Sequence, residues 1–337
     1  MKKTTRKNVV LLCNPQAGGR WRALAGVLDS PEAKGVRRIV TDHIDDVGAA
    51  LAGVGQRADL VCIYGGDGTI FHVLNELLRI PGNGKELPRI FLLGGGTMNV
   101  TATWLGMGGT PADNFRAVMM AYQAGTLRYR KVPLLRVRSG ETEHFGFTFG
   151  TGPLVRLLDR YEHGGKGKLS ALVLGLRAAG SAISPLRSAM SPLLDVQNAR
   201  VVADGRPLDW NEFAAVFANT TGAVQRLVAP FVGERPADQF HFLAYAVSSR
   251  EMAARLPWLA QAKRPLDAEL LRKPFSAAQK LWTGAGLPRD PRYVNGAARR
   301  LLVETTETIF TIDGEVLPTE GPFEVSLGPE LSLAAHP

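Results

Sequence analysis

The sequence predicts an α/β plus β protein, on three observations. Strand and helix alternate without exception through the first 125 residues. Three glycine-rich turns in that region each follow a short apolar run. After Thr126 the texture changes to short β-rich runs separated by turn residues. Alternation of strand and helix argues for an open parallel sheet with helices on both faces, and the later runs for a mostly antiparallel β domain. The expected boundary falls between residues 127 and 128, giving domains 1–127 and 128–337.

The first domain is organised around Leu60 to Leu78. Leu60 to Tyr64 is a continuous apolar run, as a parallel strand buried on both faces requires. Gly65, Gly66, Asp67, Gly68 and Thr69 then turn the chain, and Ile70, Phe71, Val73, Leu74, Leu77 and Leu78 recur at helical spacing. Glycines let backbone N–H groups approach an anion closely, and the positive end of the following helix adds a favourable field. Asp67 is a carboxylate in a place that suits phosphate, which makes sense if Mg²⁺ or a hydrogen-bond donor stands between them. The same residues also suit a tight Asp-Gly turn that only joins two elements.

The other elements follow in order. Val9 to Cys13 is a strand, closed by Asn14-Pro15-Gln16-Ala17-Gly18-Gly19 before a helix from about Trp21 to Leu28. Val36 to Val40 is a strand closed by Thr41, with a helix through Val47, Ala50, Leu51 and Val54. Ile90 to Leu93 is a fourth strand, and Gly94 to Asn99 leads into another helical stretch. In an open parallel sheet all strand-to-helix turns lie at one edge, where ligands bind. The three turns therefore converge on a single crevice.

In the second domain, strands are expected at Val132 to Val137, His144 to Phe149, Arg200 to Ala203, Phe213 to Ala218, Phe240 to Val247, Leu301 to Glu304, Ile309 to Ile312 and Phe323 to Leu327. Two helical insertions interrupt them, Gly167 to Ile183 and Arg250 to Gly284. The second carries Arg255, Lys263, Arg264, Arg272, Lys273 and Lys280 with Trp258, Phe275 and Trp282. Such a mixture suits a helix on an anionic membrane surface or a solvated helical face packed on its own domain.

Composition narrows the classes. A chain of 337 residues with 45% hydrophobic and 21% charged residues is globular. Its net charge of +9 favours an anionic partner. No recognised nucleic-acid-binding motif accompanies that charge. No apolar run is long enough to span a bilayer, and the five-residue run near the start is too short for a signal peptide. Cys13 and Cys62 fall within expected buried strands, so they read as reduced core residues of a cytoplasmic protein without disulfides.

The motifs carry a family resemblance. Asn14 to Gly19 (NPQAGG), Gly65 to Thr69 (GGDGT) and Gly95 to Asn99 (GGTMN) resemble the three signatures of the diacylglycerol kinase catalytic family, which includes bacterial lipid kinases and the sphingosine and ceramide kinases. Asp313-Gly314-Glu315 is similar to that family's late motif. The resemblance implies an NAD kinase/diacylglycerol kinase-like α/β domain joined to a C-terminal β-sandwich, with the segment from about residue 300 to 337 returning toward an interdomain cleft. It implies ATP and Mg²⁺ as cofactors, and a lipid hydroxyl at the membrane surface as acceptor.

Carried over by position, the resemblance puts Asn14, Pro15, Gly18, Gly19, Thr41, Gly65, Gly66, Asp67, Gly68, Thr69, Ile70, Phe71, Gly96, Thr97 and Asn99 around the nucleotide. Asp67 organises Mg²⁺. Glu315 or Asp313 takes the proton of the acceptor hydroxyl, although an Asp-Gly pair between strands also reads as a plain hairpin turn. Asp238 lies where relatives bind a second, structural Mg²⁺, with Gln239 replacing the usual glycine, and it equally suits a turn residue. Val100, and Lys131 or a close neighbour, stand where many relatives have aspartates. NAD kinases share GGDGT but carry a further Gly-Ser-Thr-rich stretch that is not found here. A non-catalytic lipid or nucleotide sensor is a further reading that these departures allow.

Overall fold

The computed structural model describes residues 8–15, 24, 28–29, 31–41, 46–52, 58–79, 87–94, 109–163, 191–221, 230–231, 234–252 and 290–335. The chain forms two compact units, Met1–Leu134 with Pro329–Pro337, and Leu135–Gly328. The boundary thus lies a few residues beyond the expected one, and the last residues belong to the first unit.

In the first unit, β1 (Val9–Cys13), β2 (Arg37–Val40), β3 (Leu60–Gly65) and β4 (Arg89–Gly94) form a parallel sheet in the order β2-β1-β3-β4. Val9 pairs with Leu60, and Leu60 with Arg89. Every residue of β1 and β3 is buried, which is why both read as unbroken apolar runs. The edge strand β2 instead exposes Arg37 and Arg38, and charge on an edge discourages pairing with another chain. Beyond β4 the C-terminal segment adds a parallel partner, Leu333 opposite Ile90.

Three helices of this unit are α1 (Asp46–Ala52), α2 (Asp67–Arg79) and α3 (Pro111–Ala124). The order of the strands means that the chain leaves β1 toward β2 and then crosses back to β3. With right-handed crossovers this reversal puts connections on opposite faces of the sheet. The contacts agree. The α1 and α2 helices pack on one another, with Gly48 facing the Glu76 side chain, while α3 touches the Pro31–Ala33 turn of helix and Gln123 donates to the Glu32 carbonyl at 2.9 Å. The sheet is therefore doubly wound, as expected.

The second unit contains two antiparallel sheets. One holds β5 (Tyr129–Ser139) from Leu135 onward, β6 (Thr142–Gly146), β8 (Gln197–Ala203), β9 (Arg206–Pro207), β10 (Glu212–Phe213), β14 (Arg300–Thr305) and the Phe323–Gly328 part of β17 (Phe323–Ala334). The other is six-stranded, in the order β13-β12-β11-β7-β15-β16. Its strands are β7 (Thr148–Thr151), β11 (Ala215–Asn219), β12 (Phe240–Tyr245), β13 (Tyr293–Ala298), β15 (Ile309–Ile312) and β16 (Glu315–Pro318). Phe323 of the first sheet meets Phe310 and Phe149 of the second at ring centroid distances of 4.9 and 5.3 Å. These buried rings form the aromatic centre of a sandwich.

Four local differences from the sequence reading have physical causes. The expected strand His144 to Phe149 is two strands, because the chain leaves one sheet at Gly146 and joins the other at Thr148, crossing at Phe147. Phe213 to Ala218 divides in the same way at Ala214. Pro153–His163 forms a helix, α4, that was not anticipated, with Pro153 in its first turn and the Gly152 carbonyl accepting from Val155 at 2.9 Å. Tyr293–Ala298 is a strand that was not anticipated, and the whole segment pairs in register with β12. The helices expected at Gly167 to Ile183 and at Arg250 to Gly284, apart from residues 250–252, and most of that at Trp21 to Leu28, lie outside the described residues.

Candidate active site

The reversal of strand order lies between β1 and β3, and open α/β sheets bind ligands at the carboxyl ends of strands at such a point. Asn14 follows β1 there, and its backbone N–H donates to the Tyr64 carbonyl at 2.9 Å. Its side-chain amide donates to the Thr69 hydroxyl at 3.2 Å. Thr41, which follows β2, is 4% exposed and donates its backbone N–H to Cys13 at 3.0 Å. The ends of three strands are thereby tied into one edge.

The α2 helix begins at Asp67, so the glycine-rich turn is shorter than the sequence suggested, and Gly68 and Thr69 belong to the helix. Gly66 sits at its N-cap, with its carbonyl accepting from Ile70 at 3.1 Å. The N–H groups of the first turn have no acceptor within the helix and point out of its end, where the helix field favours negative charge. Gly65 is required by packing. A Cβ there would lie 2.3 Å from Cβ of Thr69, so only glycine lets the helix start this close to the strand. Ile70 and Phe71 are buried beneath the turn and hold it rather than reach outward. Pro15 lies in the turn after Asn14. The expected nucleotide residues Gly18, Gly19, Gly96, Thr97 and Asn99, and Val100 beside them, lie outside the described residues.

These residues fit the nucleotide and its metal. Mg²⁺ bound with a nucleotide takes one or two carboxylates, and phosphate and water complete its shell. Asp67 offers one half-buried carboxylate at the helix end that offers N–H groups to phosphate. Asp238 does not fit a metal. Its carboxylate accepts from Arg299 at 2.7 Å (Nε) and 2.6 Å (Nη2), and the guanidinium hydrogen bonds hold its carboxyl below the usual carboxylate range. A bidentate guanidinium already supplies the positive charge at the start of β12. Lys131 likewise pairs with a carboxylate, Glu330 at 3.8 Å, instead of supplying one. Among the described residues no three His, Cys, Asp or Glu side chains cluster as metal ligands.

In the second unit, Asp313 and Gly314 are the two central residues of the β15–β16 hairpin. Their φ values of 53° and 95° identify the mirror-image turn that suits strand twist. The hairpin reading of this motif is therefore correct as geometry. The Asp313 carboxylate does more, because it accepts the backbone N–H of Phe147 at 2.9 Å and of Thr148 at 2.8 Å. It caps the place where the chain changes sheets. Gly146 makes room for it, since a Cβ there would lie 2.6 Å from Oδ2 of Asp313. Glu315 is half-buried beside this turn, and its carbonyl accepts from the Thr311 hydroxyl at 3.0 Å.

Thr148, Asn219 and Arg299 escaped the sequence reading. They lie in three different strands or loops outside any motif, and no local pattern marks them.

The first unit thus carries an open sheet whose order reverses at a glycine turn leading into an acidic helix start. Residues 8–127 match the diacylglycerol kinase catalytic domain family. Similar solved structures include a proposed diacylglycerol kinase from Bacillus anthracis str. Sterne, with a TM-score of 0.66 at 16% identity over 99% of each chain. A diacylglycerol kinase from the same strain gives 0.59 at 16% identity, again over 99% of each chain. Yeast NADH kinase complexed with NADH gives 0.50 at 12% identity, over 97% of this chain and 83% of that one. At these identities the likeness is one of fold. No curated protein matches the chain. Among the described residues no helix is long and apolar enough to cross a membrane.

Proposed function

We propose that this chain is an ATP- and Mg²⁺-dependent lipid kinase that transfers the γ-phosphoryl group of ATP to a hydroxyl of a lipid such as diacylglycerol or a sphingoid base. The observation that carries the reading is the tie between Asn14 and Thr69 across the reversal point, beside the helix start that presents Asp67. The family match over residues 8–127 supports it.

In this reading the first-turn N–H groups of α2, with Asn14 and Thr69, hold the phosphates. Asp67 would hold Mg²⁺, and the ion would supply positive charge against the phosphate oxygens. The acceptor oxygen attacks the γ-phosphorus, the bond to the ADP oxygen breaks, and the hydroxyl proton goes to a carboxylate. We assign that role to Glu315. The Asp313 oxygens are taken up by two backbone N–H groups, which suits orientation of the turn better than proton transfer. A lipid acceptor requires peripheral contact with the cytoplasmic membrane surface, and the basic, tryptophan-bearing segment Arg250 to Gly284 is our candidate for it. Stronger co-sedimentation with anionic than with neutral vesicles, weakened by salt, tests that contact.

The function is tested by incubating the protein with γ-labelled ATP, Mg²⁺ and a panel containing diacylglycerol, ceramide, sphingosine and NAD. Label in a lipid supports the reading. Label only in NAD redirects it to the dinucleotide kinases, and label in no acceptor favours a binding protein.

A further inference from the structure

Glu315 stands directly opposite Ile312 across the β15–β16 hairpin, so the two side chains share a face. That face looks into the sandwich, because Ile312 is fully buried and a Cβ on Gly146 of the other sheet would lie 2.2 Å from its Cγ2. Glu315 therefore faces the other sheet. Among the described residues β16 pairs with β15 alone, which leaves Glu315 half-buried on an edge strand.

The edge strand of the other sheet is β6, which pairs with β5 alone. His144 of β6 stands opposite Val137, which is fully buried, and lies two residues before Gly146 on the same face. Its ring centroid is 6.1 Å from that of Phe310, which precedes Ile312 by two residues on β15. His144 thus points between the sheets too, and it is half-buried like Glu315. The two positions differ by one strand and by two residues along it, about 7 Å. Long side chains close such a gap directly or through one bridging water.

Other groups near this edge are apolar or already engaged. Leu135, Val137, Phe310, Ile312 and Leu317 share these inward faces. The Asp313 carboxylate accepts the backbone N–H groups of Phe147 and Thr148, and Arg136 and Arg138 pair with Glu143 on the opposite face of their sheet. Among the described residues, that leaves His144 as the side-chain N–H donor on the faces around Glu315.

We propose that His144 is a positioning residue for Glu315: its ring, seated against Phe310, directs an N–H at the carboxylate and holds it where the hydroxyl proton of the acceptor is taken. This rests on the lipid kinase reading and on the assignment of Glu315 within it. A base oriented by a third group is a recurring arrangement, and a misplacement of about 1 Å costs up to roughly 10²-fold in rate.

The test uses the full chain, γ-labelled ATP and 1,2-dioleoylglycerol in mixed micelles. His144→Phe keeps a ring against Phe310 and removes the N–H, so kcat should fall about tenfold while KM for ATP and the melting temperature hold. His144→Gln keeps an N–H donor and should restore most of the loss. In a Glu315→Gln background His144→Phe should cost nothing further, because it acts only through that carboxylate. A folded His144→Phe protein with kcat within twofold of the parent has a ring that only fills the edge, and it overturns the inference. So does a loss that adds in full to that of Glu315→Gln. If Glu315→Gln itself keeps the parent kcat, the assignment of the base fails while the kinase reading stands, and this inference falls with the assignment. If the parent protein phosphorylates no lipid, the kinase reading fails and takes this inference with it.

Discussion

The carboxylate of Asp313 accepts the backbone N–H of Phe147 at 2.9 Å, and Phe147 is where the chain passes from one sheet of the second unit to the other. A crossing of this kind leaves strand N–H groups without ladder partners, and a buried donor left unsatisfied costs about 1–3 kcal/mol. The turn motif therefore has a structural duty of its own. Asp313→Ala should lower the stability of the second unit by about that amount. Gly146→Ala should be at least as damaging, because its Cβ would lie 2.2 Å from Ile312 and 2.6 Å from Asp313. Denaturant titration followed by a probe in the second unit checks both, and full stability of Gly146→Ala would show that the crossing can relax.

Gly65 makes a similar prediction in the first unit. Gly65→Ala must push Thr69 and the start of α2 away from β3, which breaks the Asn14 contact. Overpacking of this kind costs about 1–3 kcal/mol. Nucleotide titration should show weakened ATP binding in a protein that still folds. Unchanged ATP affinity would mean that the helix start can shift without consequence for the nucleotide.

Burial pushes the Cys13 thiol up from 9.0 to about 12. Between those values the unfolded chain gives up a proton that the folded chain keeps. The unfolded state then binds fewer protons, so stability falls as pH rises from about 9 and levels off above about 12. Cys13→Ala should flatten this alkaline slope, although the smaller side chain lowers stability at neutral pH. Thermal melts from pH 8 to 11 measure it, and a slope unchanged by the substitution would assign the alkaline loss to other groups.

The pair between Asp238 and Arg299 is exposed on both sides, at 56% and 65%. Surface pairs contribute about 0–1 kcal/mol, so Arg299→Ala should change stability little. Because the guanidinium already occupies the carboxylate, adding Mg²⁺ without nucleotide should leave the melting temperature of the parent protein where it was. A magnesium-dependent rise abolished by Asp238→Asn would restore a metal to this position.

Much of the fold could be read from the residues because several elements are short apolar runs with sharp ends. Val9–Cys13 and Ile309–Ile312 run over the bounds expected for them, each closed by turn residues. The start of α2 was less legible. Glycines disfavour helix interiors, so Gly-Asp-Gly reads as a loop, yet here Gly66 is the cap and Asp67 complements the helix field in the first turn. The sheet crossings at Phe147 and Ala214 left no trace, since alternation of side chains continues through a change of hydrogen-bonding partner. Asp67, Asp313 and Glu315 were legible as a candidate site because they sit in motifs. His144 was not, because only the packing of one sheet on the other sets it against Phe310 at the edge that carries Glu315.

Asp67 and Glu315 are proposed here to share one role, phosphoryl transfer to a lipid hydroxyl. Its most direct test is the initial rate of label transfer from γ-labelled ATP to diacylglycerol and sphingosine, in the parent protein and in Asp67→Asn and Glu315→Gln. The parent should transfer label, Asp67→Asn should lose most of that transfer, and Glu315→Gln should fall roughly 10²- to 10⁴-fold with ATP affinity unchanged. Near-parent rates in both variants, or no transfer to either lipid by the parent, would contradict it.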